Sequence, residues 1–330
     1  MMQRRQLLQL GMGLGLGLGH GLGVHAATRE SLVWQERSLM GFGTMLWLKA
    51  AHTDASRLHE ALDASVKAIR AVEKQMSLFD PNSAVSRLNR VGELRKPDAD
   101  LVSVLTLAQF VSQRSAGAFD VTMQPLWKLW TDHAIEKTLP SFNTLSQTCS
   151  LVNWQALSVS PGVIRLNKKG MGVSLNGIAQ GYAADKVRAV LQAHGVQHAL
   201  IDTGETTFLG QSSKGEDWRF AVEPSAAPSS VPPIINTYGW AIATSSDAHT
   251  VFSADHVHHH ILNPQTGDSP THWSSVSVMA PSCALADALT KVFFMCPPQR
   301  VERMAKAWGV GVVLQDKRGR WVSHLSPSMA

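Results

Sequence analysis

The apolar residues of this chain change period several times, and those changes limit what it can fold into. Over 53–76, Leu58, Leu62, Val66, Ile69, Val72 and Met76 recur at spacings of three and four, which predicts a helix capped by Thr53 or Asp54. The same spacing predicts helices from about Asp98 to Arg114, about Gly181 to His194, Ala284 to about Met295, and Gln299 to Trp308. Gly117, Gly195 and Gly309 stand beyond three of these ends, and Pro297-Pro298 closes a fourth. Short β-like runs lie between them at 44–50, 163–166, 172–175, 198–203, 218–223, 239–244, 275–279, 310–315 and 320–323. Strands and helices mix without strict β-α-β alternation, so the expected class is α+β, mixed sheets with packed helices, and not a doubly wound sheet. The Pro/Ser/Ala-rich stretch 224–233 is flanked by strand-like segments and reads as a long surface loop inside one domain.

The N-terminus has a different character. Residues 1–27 carry Arg4-Arg5, then no Lys, Arg, Asp or Glu, and end on a small-residue site at Val24-His25-Ala26. Seven glycines alternate through the run from Gly11 to Gly23, and glycine weakens a membrane helix, so a cleavable export segment is expected and a permanent anchor is not. Arg4-Arg5 followed by Gln6-Leu7-Leu8 resembles the twin-arginine signal that exports folded proteins; an ordinary secretory signal is the alternative. A single mature domain, 28–330, is therefore expected in the periplasm, touching the inner membrane only through partners. No apolar stretch beyond the N-terminus is long enough for a stable membrane span.

Composition narrows the remaining classes. With 44% hydrophobic and 17% charged residues the chain is not of disordered type. The formal charge of +5 falls to +3 without Arg4 and Arg5, and the remaining Lys and Arg are scattered among acids, so no nucleic-acid partner is indicated. Cys149, Cys283 and Cys296 form no C-x-x-C pair and read as buried small apolar side chains.

Four segments could carry chemistry. Val173-Ser174-Leu175-Asn176-Gly177-Ile178-Ala179-Gln180-Gly181 runs a strand through small residues into a helix, leaving backbone N–H groups for an anion, or simply packing strand on helix. Asp287, Thr290 and Lys291 share one helix face; a carboxylate and a hydroxyl there are hard oxygen ligands suited to Mg²⁺, while Asp287 and Lys291 alone make a helix salt bridge. In the run His256, His258, His259, His260, strand alternation would put His258 and His260 on one face; one ligand-contacting histidine fits better than a zinc site. Gly117-Ala118-Phe119-Asp120 reads either as a wall against a planar ligand or as a helix-to-strand turn with a core Phe.

Taken in order, these segments resemble the ApbE family of FAD:protein FMN transferases. Met76-Ser77-Leu78-Phe79-Asp80-Pro81 with Ser83 and Ser86-Arg87-Leu88-Asn89 is similar to one family element, Gly117-Ala118-Phe119-Asp120 to its G-A-F-D, and Ile178 to Asp185 to its I-A-K-G-Y-A-x-D. Asp202-Thr203-Gly204-Glu205, Ala243-Thr244-Ser245, His260-Ile261-Leu262-Asn263-Pro264 with Thr266-Gly267, and Ala286-Asp287-Ala288 follow in the family's order, so the likeness spans roughly residues 40–296.

The resemblance implies an ApbE-like fold, FAD as substrate and Mg²⁺ as cofactor. Phe79, Ala118, Phe119 and Asp120 would contact flavin or adenine, Asn176 to Gln180 would lie along the pyrophosphate, and Ile261 would complete the FAD site. Gly177, through its carbonyl, with Asp287 and Thr290 would hold the metal. His260 and Asp287 are the candidate catalytic residues, and FMN would pass to a Ser or Thr hydroxyl of an acceptor flavoprotein while AMP leaves. The chain departs from the family where Ser174 replaces an acid, Gln180 often a lysine, and Met40-Gly41-Phe42-Gly43-Thr44 carries two extra residues. The family's metal-binding Thr commonly falls four residues after the Asp, where this chain has Lys291, with Thr290 at three. That lysine opens a second reading, FAD binding without transfer; hydrolysis of FAD to FMN and AMP is a third.

Overall fold

The computed structural model describes residues 31–225, 231–237, 239–248 and 250–325. The expected export segment, with Arg4, Arg5 and the Val24-His25-Ala26 site, lies outside the described residues. From Leu32 onward the chain forms one compact unit.

A hairpin, β1 (Val33–Gly41) and β2 (Thr44–His52), leads into α1 (Ala55–Met76), α2 (Ala84–Val91) and β3 (Glu93–Arg95). Next come α3 (Ala99–Arg114), α4 (Gln124–Glu136), α5 (Phe142–Cys149), β4 (Leu157–Val159) and β5 (Val163–Leu166). α6 (Ala179–Ala193), β6 (His198–Asp202), β7 (Thr206–Leu209), β8 (Arg219–Ala221), β9 (Ile234–Asn236) and β10 (Ala241–Ser246) follow. β11 (Trp273–Ala280), α7 (Cys283–Phe294), α8 (Val301–Trp308), β12 (Gly311–Asp316) and β13 (Trp321–His324) complete the chain.

The expected α+β class holds. Eight strands form one sheet in the order β1-β2-β6-β7-β10-β11-β12-β13, and every pairing between named strands is antiparallel. A three-stranded sheet, β3-β5-β4, and the β8-β9 pair are separate. β8 and β9, which flank the Pro/Ser/Ala stretch in sequence, pair with each other.

Alternating side chains explain the layers. On one face Leu46, Leu48 and Ala50 of β2 and Ala199 and Ile201 of β6 meet Leu58, Leu62 and Ile69 of α1 and Val187 and Leu191 of α6. On the other, Phe208, Ile242, Met279 and Val313 pack with Val222 and Ile235. β11 is buried along all its length, Ser274, Ser275 and Ser277 included, as a central strand covered on both faces is.

Asp54 caps α1, its Oδ1 accepting from the backbone N–H of Ser56 (2.8 Å) and Arg57 (3.2 Å). The junction of α6 with α7 is closer than ordinary helix packing. Asp185 reaches across to the start of α7, where Oδ1 accepts from Cys283 N (2.8 Å) and Oδ2 from Ala284 N (2.9 Å) and Ser282 Oγ (2.8 Å). A carboxylate at a helix N-terminus satisfies orphan donors and the helix dipole together.

Several segments differ from the sequence expectation. Residues 172–175 make no named strand, only a bridge of Gly172 to Met123 and a bond from Ser174 N to Val121 O (2.8 Å). The segment is fixed instead by Asn89, which donates to Val173 O (2.8 Å) and accepts from Val173 N (2.6 Å). The last predicted helix starts as a short 3₁₀ turn at Pro298–Arg300, because proline there suits a first turn but not a helix interior. β1, β3, β4, β7, β9, α2, α4 and α5 were not anticipated. Cys283 and Cys296 are buried, Cys149 is partly so, and all three are free thiols. No helix among the described residues is long and apolar enough to cross a membrane.

Candidate active site

A cleft of ≈ 490 Å³ opens where these layers meet, within the range of ligand pockets. Its first wall is the turn between β1 and β2 with the end of α1: Phe42, Thr44, Met76, Ser77 and Phe79. Gly41 pairs with Thr44, and Phe42 (φ 49°) and Gly43 (φ 79°) are both left-handed, as a two-residue hairpin requires. The segment 40–44 with its two extra residues therefore makes this turn, which is tied to α1 by Phe42 N donating to Glu73 Oε1 (2.7 Å). Phe79 is 74% exposed at the edge of the cleft.

Ala118, Phe119 and Asp120 line the second wall with Met123 and Trp127 of the α4 region. Asp120 holds a turn as well as lining the cleft. Its Oδ1 accepts from the N–H (2.7 Å) and hydroxyl (2.7 Å) of Thr122, and its Oδ2 accepts from Trp154 N (2.9 Å). Burial pushes its carboxyl above the ordinary range, and those bonds oppose the shift.

The floor is the start of α6. Ser174, Asn176, Gly177, Ala179 and Gln180 face the cleft at the first turn of α6, where Ala179 N donates to Leu175 O (2.8 Å) and Gly181 N to Asp287 Oδ2 (3.2 Å). Gly204 (φ 96°) lies against the Gln180 amide, and Glu205, Thr244, Ser245 and Ser246 close the back.

The fourth side corrects the histidine expectation. Residues 256–260 form no strand: His256 has φ 60°, and successive side chains diverge. His258 stacks on Trp130 (centroids 4.7 Å apart) and donates through Nδ1 to Asp268 (2.7 Å). His259 is fully buried, its Nε2 near Pro270 O (3.3 Å), and burial lowers its pKa. His260 alone of the run lines the cleft, with Ile261, Leu262 and Pro264. Its Nδ1 is 3.2 Å from Thr250 O; since a carbonyl only accepts, Nδ1 carries the hydrogen and Nε2 is the basic nitrogen of the neutral ring. Among the described residues no group of three His, Cys, Asp or Glu is placed to hold a metal ion.

Beneath the floor lies a charged cluster. Asp287, 1% exposed, accepts through Oδ1 from Lys291 Nζ (2.5 Å) and through Oδ2 from Gly181 N (3.2 Å). Lys291 Nζ also donates to Asp287 O (3.2 Å), and Lys291 lines the cleft. Thr290 does not line it: its hydroxyl donates to Asp287 O (2.6 Å), pairs with Ser245 Oγ (2.8 Å) and is fully buried.

The hard-oxygen set expected for Mg²⁺ is thus assembled around an ammonium. A Mg²⁺ ion about 2.1 Å from Oδ1 would stand roughly 4 Å from Nζ. A divalent and a monovalent cation at that distance repel by about 8 kcal/mol at an effective dielectric of about 20. As arranged, the expected ligands Gly177, Asp287 and Thr290 do not fit a divalent ion.

Glu205 belongs to this cluster and was read from sequence only as part of a strand end. It is buried, and Oε2 accepts from Thr244 N (2.8 Å). Burial first, then the Asp287 carboxylate, raise its pKa well above the ordinary value, with Lys291 pulling the other way. A raised carboxyl pKa in the folded state means that wild-type stability falls as pH rises from the unfolded value toward the folded one. Glu205→Gln removes that titration. Each pH unit between the two values is worth ~1.4 kcal/mol. The variant should therefore match wild type at pH 4 and melt measurably higher at pH 8. Thermal melts at the two pH values check this; an equal difference at both would refute a protonated Glu205.

Together the fold and cleft define an α+β protein built around one ligand-sized site. The chain belongs to the ApbE family, whose model matches residues 42–314. It is 29% identical over 269 residues to the FAD:protein FMN transferase of Vibrio cholerae, covering 79% of this chain and 80% of that one. It is 26% identical over 287 residues to the enzyme of that name from Klebsiella pneumoniae, with 80% of each chain covered. Among solved structures, the flavin transferase ApbE from Vibrio cholerae superposes with TM-score 0.77 at 26% identity, over 90% of this chain and 98% of that one. The ApbE protein of Thermotoga maritima gives TM-score 0.80 at 22% identity, over 88% of this chain and 97% of that one, a likeness of fold.

Proposed function

We propose that this chain is an exported FAD:protein FMN transferase, moving FMN from FAD to a Ser or Thr hydroxyl of an acceptor flavoprotein and releasing AMP. The observation that carries the reading is the convergence on one cleft of Phe79, Ala118–Asp120, Asn176–Gln180 and His260–Ile261, four stretches far apart in sequence. Phe42, Phe79 and Phe119 offer aromatic surface for a flavin or adenine ring, and the positive end of the α6 dipole lies where the pyrophosphate would run.

In the reaction the acceptor oxygen bonds to the FMN phosphorus, the bond from that phosphorus to the bridging oxygen breaks, and AMP leaves with that oxygen. The hydroxyl proton passes to Nε2 of His260, whose ring is oriented by Thr250 O. The protein's remaining contribution is positioning and electrostatics. Mg²⁺ is the ion the family resemblance brings; the ammonium at Asp287 stands against it, and no step here depends on it. The N-terminal export segment supports action in the periplasm, where acceptor and enzyme would meet at the inner membrane.

Residues 28–330 incubated with FAD and an acceptor domain carrying a flavinylation threonine should yield AMP and an acceptor heavier by one FMN. AMP without a mass shift would mean hydrolysis of FAD. Neither product, with FAD tightly bound, would mean a flavin-holding protein.

A further inference from the structure

We infer that the Lys291 ammonium is the resident cation of this site, held by Asp287 and facing the pyrophosphate of the bound dinucleotide, so that the protein binds no divalent metal at Asp287. That the ligand carries a pyrophosphate rests on the function proposed above; the exclusion of metal does not.

Geometry puts the ammonium between two of the three groups expected to coordinate an ion. Nζ is 2.5 Å from Asp287 Oδ1 and 3.2 Å from Asp287 O. The lysine stem runs against Gly177: a Cβ placed there would lie 2.9 Å from Lys291 Cε and 3.6 Å from Nζ. Glycine at 177 is thus what gives the lysine room. The third expected ligand, Thr290, is turned aside to Ser245 and the Asp287 carbonyl. Helix geometry accounts for the exchange. Positions four apart stack along one face, so Lys291 reaches over Asp287 into the cleft while the residue at three falls beside it. Both Asp287 oxygens already accept a hydrogen bond, from Lys291 and from Gly181 N, so a metal on Oδ1 would share that oxygen with the ammonium.

The pair differs from the chain's ordinary helix salt bridges. Lys128–Asp132 and Lys306–Glu302 have side chains 70%/52% and 76%/58% exposed, whereas Lys291 and Asp287 are 22% and 1% exposed. The surface pairs are worth little. A largely buried pair whose ammonium lines a ligand cleft, beside a helix N-terminus, presents positive charge to an anion.

The test is Mn²⁺ binding followed by electron paramagnetic resonance on the purified protein, without FAD, paired with FAD titration in EDTA and in excess Mg²⁺. Wild type should leave Mn²⁺ free at micromolar concentrations, and its FAD affinity should change less than twofold with Mg²⁺. Lys291→Met should weaken FAD binding at least tenfold, and Lys291→Arg, which keeps the charge, should lose less; circular dichroism establishes that both variants fold. Micromolar Mn²⁺ binding by wild type that Asp287→Asn removes, or a tenfold gain in FAD affinity on adding Mg²⁺, overturns the inference, as does unchanged affinity in Lys291→Met. Failure to flavinylate an acceptor would instead count against the proposed transfer and leave the Mn²⁺ result standing.

Discussion

Gly181→Val should leave no cooperatively folded protein. A Cβ at Gly181 would stand 2.6 Å from the carbonyl carbon of Cys283 and 2.8 Å from Ala284 Cα, both backbone atoms that no rotamer change can move. Gly181→Ala, the smallest step, should cost about 3 kcal/mol by overpacking. Valine adds two more carbons to the same clash and should cost more than about 5 kcal/mol, a large share of a domain's stability. Urea unfolding followed by circular dichroism checks this, with Gly92→Ala as control. Gly92 has φ 82° but nothing within 4 Å of its added Cβ, so only backbone strain of about 1–2 kcal/mol is expected there. A wild-type urea midpoint for Gly181→Val would mean that α6 and α7 are not in this contact.

The second large effect falls on activity. Asp287→Ala should lower FMN transfer at least about 100-fold, the usual result of removing or misplacing one electrostatic group in an active site. Asp287 acts as a positioning residue. Its carboxylate fixes Lys291 through Oδ1 and the first turn of α6 through Gly181 N, so its loss frees the ammonium and leaves a buried donor unpaired. The stability cost of that donor is about 1–3 kcal/mol, small enough to leave the chain folded. Single-turnover AMP release with acceptor present is the measurement, and the loss should appear in kcat more than in KM. A rate within threefold of wild type would remove Asp287 from the mechanism.

Much of this was legible in the sequence where local chemistry and periodicity agree. The stripe Leu58, Leu62, Ile69, Val72 and Met76 and the Asp54 cap appear as expected because a long amphipathic helix carries its own signature. The cleft segments were found as an ordered set of short motifs, and nine of the eleven expected site residues line the cleft; Asp287 and Thr290 lie behind it. The motifs did not distinguish contact from brace. Asn89 and Asp185 sit in them as backbone clamps, a role set by residues 84 and 98 positions away.

Other features depend on distant partners. β1 reads as polar through Gln35-Glu36-Arg37 and is a strand only because β2 pairs with it along its full length. α4 opens with Pro125, which breaks a helix interior but suits a first turn, so its short stripe of Leu126, Trp130 and Ala134 is masked, and α5 buries no side chain and has no stripe. Glu205 looked like one acid at a strand end. Its importance comes from burial next to an aspartate on α7, 82 positions further along the chain, and single-sequence periodicity carries no trace of that neighbour.

The carboxylate of Asp185 has a mechanical consequence. Three bonds from one side chain weld the start of α7 to α6, and Gly181 lets the two backbones touch, so the helices carrying the floor of the cleft translate as one piece. The floor is the anvil of the site. The opposite side of the cleft, the stretch 250–264, rests on α4 through the rings of Trp130, Phe252 and His258. Asp287 on α7 and the first turn of α6 are held in register by the Asp185 clamp, one turn away from either.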